Sequence, residues 1–355
     1  MRTPGHGRRR GRDRRSGLGR VAGVGAAAIA TLAALAGGCA ATAEGPADSS
    51  RGVRSQAAML GPFVIVLGTS QDGGTPQAGR FDDPRWQDPG RRRLVASLGI
   101  VDPATGERWM IDATPDFREQ LTMLDRAARR GRPAGDPASG GEAALSGVLL
   151  THAHIGHYTG LMFLGHESMG ADKVPVYAMP RMAEFLRGNG PWDQLVRYEN
   201  IELRELEDGV GVALNGRVRV VPILVPHRQE YSEVVGFRVE GPTRSVLFIP
   251  DIDSWDELDD WGRPIEDLIA GVDVAYLDGT FFADGEIPGR DMSGFPHPFI
   301  AHSLERFASL SASERAKIRF IHLNHTNPAH EAGAARDRVR AAGMSVADQG
   351  ESAGL

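Results

Sequence analysis

From Phe63 onward the chain alternates short apolar runs with amphipathic stretches. The runs "FVIVLG" (63–68), "VASLGIV" (95–101), "RWMIDA" (108–113), "GVLLT" (147–151) and "VPVYA" (174–178) are rich in β-branched residues and bounded by turn formers, so each predicts a strand. The same holds for "VRVVPILVP" (218–226), "VVGFRVEG" (234–241), "SVLFIPD" (245–251), "VDVAYLD" (272–278) and "IRFIHLN" (318–324). Apolar positions three and four apart predict helices over 116–129, 180–188, 298–309 and 329–342. The Gly-, Pro- and Ala-rich segment 131–144 predicts a surface loop. Many strands with helices interspersed and no internal repeat point to a layered α/β sandwich.

The N-terminal stretch has a different pattern. Residues 1–39 join an arginine-rich start, "RRRGRDRR", to the alanine-rich run "VAGVGAAAIATLAALAGG" and then Cys39. A charged segment followed by an apolar run just short of a bilayer span is the pattern of an export signal and is set aside from the fold. "LAGGC" resembles a bacterial lipobox, with Ala36 where leucine is usual, and Arg14-Arg15 resembles a twin-arginine signal. A retained membrane anchor is the alternative; either way the expected location is outside the cytoplasm, periplasmic or extracytoplasmic, and the lipobox reading adds lipid attachment at Cys39. Residues 40–60 are small and polar and predict a tether. The folded domain is expected over 61–355.

Composition narrows the function classes. With 355 residues, 41% of them hydrophobic, the chain can bury a substantial core. A net charge of −6 with no basic patch beyond the first twenty residues argues against nucleic acid as a partner. A membrane partner is expected only through the N-terminal signal or lipid anchor; the oligomeric state is not legible. Cys39 is the single cysteine, which excludes an intramolecular disulfide and a cysteine-rich zinc site.

The chemistry concentrates in "LLTHAHIGHYTGL" (149–161), which places His152, His154 and His157 in a loop at a strand end. Neutral imidazole is the commonest zinc ligand, and a site needs three or four such groups. His227, Asp251, His322 and His325 also follow apolar runs, so all can gather along one edge of a sheet. Taken alone, Asp251 reads equally as the N-cap of the helix that "DSWDELDD" predicts, and His227 as a turn residue.

The order His-x-His-x-x-His, then His, Asp and His, resembles the metallo-β-lactamase fold superfamily. "VLGTSQDGGTPQ", "IDATPDF", "DGTFF" and "HLNHTNP" resemble more narrowly the branch containing the pyrroloquinoline quinone biosynthesis protein B. The resemblance spans about Phe63 to Pro328. It implies an αββα sandwich of two mixed β-sheets with flanking helices, and a site built from loops at one edge of the sheets. By that resemblance His152, His154 and His227 hold a first metal, and His157 and His322 a second, with Asp251 bridging. The family pattern is HxHxDH, and Gly156 occupies the aspartate position. That departure leaves the second position weak, empty, completed by His325 or filled by water; His325 can instead serve as proton donor, which makes it and Asp251 the residues assigned to catalysis.

Three imidazoles on zinc leave a coordination position for a water whose pKa falls to about 7. The leading expectation is therefore a hydrolase of an ester, lactone, amide or phosphodiester, using a metal-bound hydroxide on a small-molecule substrate with one or two zinc ions. The second is an iron-dependent oxidase or hydroxylase related to quinone-cofactor biosynthesis, and the third a metal-binding lipoprotein without turnover. Asp112 and Asp278 are expected to orient ligands, or to act as turn or cap carboxylates. Asp72 lies in the Gly-rich turn "SQDGGTPQ", whose backbone can approach a ligand. His166, His297, His302 and His330 are expected at the surface or as caps. The polar stretch 281–297 is expected to form a lid or pocket wall, with Arg290 solvated or facing an anion.

Overall fold

The structure is a computed structural model, and it describes residues 61–130 and 145–355. The export signal with Cys39, the tether and the 131–144 loop lie outside the described residues. Two seven-stranded sheets form the centre of the domain. The first contains β1 (Phe63–Gly68), β2 (Ser97–Val101), β3 (Arg108–Ile111), β4 (Gly147–Leu149), β5 (Val174–Ala178) and β6 (Ile201–Glu205), and is closed at the β1 edge by β14 (Ser352–Gly354). The second contains β7 (Val212–Ala213), β8 (Arg219–Leu224), β9 (Val235–Glu240), β10 (Ser245–Ile249), β11 (Val274–Asp278), β12 (Ile318–Ile321) and β13 (Ser345–Val346), in the order 13-12-11-10-9-8-7.

Both sheets are mixed. β3 to β6 run parallel, as do β10 to β13, while the remaining neighbours are antiparallel. Two consecutive antiparallel steps restore direction, so β1 points the same way as β3 and β4, and β8 the same way as β10, β11 and β12. Every loop that carries a candidate ligand therefore leaves its sheet at the same edge, the carboxyl ends of these strands.

Period-two side-chain alternation explains why the strands read as unbroken apolar runs: both faces are covered. In β1, Val64 and Val66 face the other sheet in a shared core with Trp109, Phe237, Phe248 and Tyr276. Ile65 and Leu67 point the other way, into a layer with Phe117 and Leu124 of α1 (Phe117–Ala128) and Met182 and Leu186 of the helix Pro180–Gly188. On the second sheet Leu247, Leu277 and Phe320 face a corresponding layer with Leu258, Ile265, Leu304 and Val339 from four further helices. The result is the αββα sandwich. No helix among the described residues is long and apolar enough to cross a membrane.

The helix predicted over 329–342 is the clearest difference in secondary structure. A 3-10 turn, Pro328–His330, capped by the Asn327 side chain on the Ala329 amide, comes first, and the α-helix runs only from Ala334 to Ala341. Proline at the first position of a turn and an Asx cap favour that short turn, and Gly333 separates it from the helix.

Candidate metal centre

The "THAHIGHY" loop leaves β4 and turns at once into a one-turn helix, Ile155–Tyr158, with His154 at its N-cap. This brings three imidazoles onto one side. His152 Nε2 lies 2.9 Å from His154 Nδ1, and His227 Nε2, from the loop after β8, lies 3.3 Å from the same atom. Asp251, two residues beyond β10, places Oδ2 3.5 Å from His152 Nε2 and Oδ1 3.5 Å from His227 Nε2. These four donors lie within 4.8 Å of one another.

A second set shares Asp251. His157 Nε2 is 3.2 Å and His322 Nε2 3.4 Å from Asp251 Oδ2. Asp72 Oδ1 lies 3.3 Å from each of these two imidazole nitrogens. The six residues expected from the histidine pattern are thus together, and Asp72 joins them through its side chain rather than its backbone. The second position does not lack a carboxylate, as the glycine at 156 alone suggested.

The far side of each ring is held. His152 Nδ1 is 2.9 Å from Thr151 Oγ1, and His154 Nε2 is 3.1 Å from Glu230 Oε2. His227 Nδ1 lies 2.6 Å from Asp253 Oδ1, His157 Nδ1 2.7 Å from Asp112 Oδ2, and His322 Nδ1 3.0 Å from Thr280 Oγ1. Partners on the distal nitrogen fix ring orientation and leave the other nitrogen free to ligate. Asp112 and Asp278 both take orienting positions: Asp112 on His157, and Asp278 on Thr280, whose hydroxyl donates to it at 2.8 Å. The helix after Asp251 is capped by Ser254, which accepts from the Asp256 amide at 3.1 Å, so Asp251 is not its N-cap.

Two atoms at the centre of the cluster, His157 Nε2 and Asp251 Oδ1, are buried without a hydrogen-bond partner. A buried polar atom left unpaired costs about 1–3 kcal/mol, and here both unpaired atoms belong to converging ligand sets. Imidazole and carboxylate donors without thiolate suit zinc, iron or manganese. The residues fit a metal on this observation.

Electrostatics in the cluster are divided. Burial, then the charge of His157, holds His152 well below the usual histidine range. Burial also opposes charge on His157, but the carboxylates around it, Asp112 first and then Asp251 and Asp72, override it and raise that ring well above the usual value. For Asp251, burial favours the neutral acid, but the surrounding histidines outweigh it and keep the carboxyl well below its ordinary range.

His297 and His330 depart from the surface or capping positions expected for them. His297 is buried, brought in by the loop between β11 and the helix Ile300–Arg306, with Nδ1 2.9 Å from Asp278 Oδ2 and 3.4 Å from Asp251 Oδ1. Its loop packs on Phe281, Met292 and Phe299, and the apolar neighbours on both sides, "FPHPF", were the available signal. Burial lowers its basicity, yet Asp278 and then Asp251 bring it up to about 9. Arg290, on the same loop, is exposed with its guanidinium 5.8 Å above Phe295. His166 and His302 are exposed as expected. His325 stands outside both ligand sets; its Nδ1 meets Asn324 Oδ1 at 3.1 Å, and burial together with Arg80 and Arg85 lowers its pKa.

His330 is buried against Asn324 O at 3.0 Å and Thr75 Oγ1 at 3.2 Å, and burial pushes its pKa down to about 3. An unfolded histidine titrates near 6.5. Between those values the unfolded chain binds one proton more than the native one, so this residue's contribution is intact above about pH 6.5 and lost as pH falls toward 3. In His330→Gln, with metal removed, the fall of urea-unfolding stability from pH 6.5 to 4.5 should be shallower by about 1.4 kcal/mol per pH unit. Parallel curves for the two proteins would show that His330 does not carry this sensitivity.

The comparisons with known proteins bear on family and fold. Residues 107–314 match the family described as the Beta-lactamase superfamily domain. Coenzyme PQQ synthesis protein B of Methylorubrum extorquens (strain PA1) is 27% identical over 313 residues, covering 81% of this chain and 98% of that protein. The protein of the same name from Rhizobium meliloti (strain 1021) is 27% identical over 315 residues, covering 81% and 96%. The crystal structure of Zn(2+)-bound PqqB from Methylobacterium extorquens aligns with a TM-score of 0.63 at 22% identity, over 82% of this chain and all of that one. A diphosphatase from the PhnP family aligns at 0.55 with 20% identity, over 83% and 97%.

Proposed function

Because this chain belongs to the β-lactamase superfamily, and because its two ligand sets share one buried carboxylate, we propose that it is a binuclear metal-dependent hydrolase of a small ester, lactone, amide or phosphodiester. The observation that carries this reading is the pair of unpartnered atoms, His157 Nε2 and Asp251 Oδ1, at the junction of the two sets. His152, His154, His227 and Asp251 would hold the first ion, and His157, His322 and Asp251 would contribute to the second. Bound zinc would supply Lewis acidity and acidify a coordinated water toward neutral pH.

The protein's own groups supply the rest. Asp251, the carboxylate common to both donor sets, would neutralise part of the charge of ions held there. Asp278 holds the His297 Nδ1–H, an aspartate–histidine pairing that fixes the tautomer and stabilises the protonated ring. Proton donation to a leaving oxygen is therefore assigned to His297 in preference to His325. Ile155, next to His154 in the chain, and Tyr231, next to Glu230, are both exposed, which favours a substrate with a hydrocarbon portion. The export pattern supports placing this domain outside the cytoplasm, tethered at Cys39.

The test is elemental analysis of residues 40–355 purified without added metal, with kinetics on ester, lactone and phosphodiester panels. About two zinc ions per chain are expected, with turnover lost on chelation and in His154→Ala; full activity in that variant would overturn the reading. One alternative is a single iron supporting oxygen-dependent chemistry, which the same imidazole and carboxylate donors also suit. Iron with oxygen uptake would put it first.

A further inference from the structure

The glycine at 156 and the aspartate at 72 occupy one space. A Cβ built on Gly156 would lie 2.4 Å from Asp72 Cγ and 2.6 Å from Asp72 Oδ1, closer than non-bonded carbon atoms approach. The carboxylate of Asp72 thus fills the volume that the side chain at the fifth position of HxHxDH would enter. It arrives from a different element, the loop after β1. We propose that Asp72 is the relocated carboxylate ligand of the second metal position, standing in for the motif aspartate that Gly156 replaces.

Three further observations support this. Asp72 Oδ1 is equidistant, at 3.3 Å, from His157 Nε2 and His322 Nε2, and its donor atom falls within the same 4.8 Å set as theirs and that of Asp251. His157 already has its other nitrogen bound to Asp112, so a second carboxylate on Nε2 is not needed to hold the ring. The loop itself is fastened to the segment that carries His322: the Gln71 amide donates to Leu323 O at 2.9 Å, and the Leu323 amide donates to Thr69 O at 2.8 Å. Asp72 and His322 are consequently placed by one backbone arrangement, which gives the precision that a ligand pair requires.

This inference rests on the binuclear reading, and the experiment separates the two. Zinc stoichiometry after dialysis and affinity by competition with a chromophoric chelator are measured on the mature chain and on Asp72→Ala, Asp72→Asn, Gly156→Asp and the double variant Asp72→Gly/Gly156→Asp. The parent should hold two zinc ions. Asp72→Ala and the isosteric Asp72→Asn should keep the first with little change and bind the second about 100-fold more weakly, at or above the loss typical for an outer-sphere partner. Gly156→Asp alone should lose metal through collision with Asp72, and the double variant should recover the second ion to within about tenfold of the parent. Two tightly bound ions in both Asp72 variants, or a double variant no better than Asp72→Ala, would overturn the relocation while leaving the binuclear reading intact. Fewer than two ions in the parent would overturn both.

Discussion

Asp251→Ala is expected to empty both metal positions and to reduce kcat/KM by about a thousandfold or more. A metal's polarisation contributes several kcal/mol to such a reaction, and about 4 kcal/mol corresponds to a factor near 10³. The reason for expecting a total rather than partial loss is geometric. One buried carboxylate meets His152, His157 and His322 through Oδ2 and His227 and His297 through Oδ1, all between 3.2 and 3.5 Å. Removing it leaves five imidazoles facing each other without their shared anion, and breaking such a buried pairing costs about 3–5 kcal/mol. Asp251→Asn keeps the shape and one acceptor oxygen, so it should fold better than the alanine variant and retain part of the first metal. Elemental analysis alongside kinetics checks both; two ions retained by Asp251→Ala would mean that the sets are not joined through this residue.

Asp112→Ala should be the most destabilising change near the site. Asp112 is fully buried, accepts from the Thr151 amide at 2.8 Å and from Thr151 Oγ1 at 2.9 Å, and holds His157 Nδ1 at 2.7 Å. Its backbone sits at φ 68°, in the left-handed region where aspartate and asparagine are tolerated better than other side chains. Alanine would remove three buried hydrogen bonds, each worth about 1–3 kcal/mol where a partner is left unsatisfied, and add about 1 kcal/mol of backbone strain. A loss near 5 kcal/mol is comparable with the whole stability of many domains. Asp112→Asn keeps the backbone preference and an acceptor for Thr151 but not the charge beside His157, so the fold should persist while affinity at the second metal position falls about 10–100-fold. Thermal melting and zinc titration of the two variants separate these effects; equal melting temperatures would contradict the first expectation.

What the sequence discloses follows from which interactions are local. The ten apolar runs are strands because both sheet faces are covered, and β1 and β5 have the boundaries their patterns predict. β6, "IELRE", escapes because it is a polar edge strand, and β7, β13 and β14 are two or three residues long, too short to carry a periodic signal. At the site, His152, His154 and His157 are legible from spacing alone. Asp253, Glu230 and Thr280 reach their histidines from other loops, and no pattern within a window announces such partners. Asp72 had two indirect signals: a motif lacking its acid at 156, and an acid in a glycine turn directly after the first strand. His297 shows the limit most clearly, since an isolated histidine between two prolines has no spacing to read and acquires its neighbours only when the second sheet's loops fold together.

Gly156 and Asp72 also constrain how this sequence can change over time. A lineage carrying aspartate at 72 cannot regain the motif acid by one substitution at 156, since the new Cβ would sit 2.4 Å from Asp72 Cγ. Losing Asp72 first removes a carboxylate before its replacement exists. On the proposed ligand role each single step costs metal, so the two arrangements should be mutually exclusive among homologues: glycine at the motif position with an acid after the first strand, or the motif acid with a small residue there.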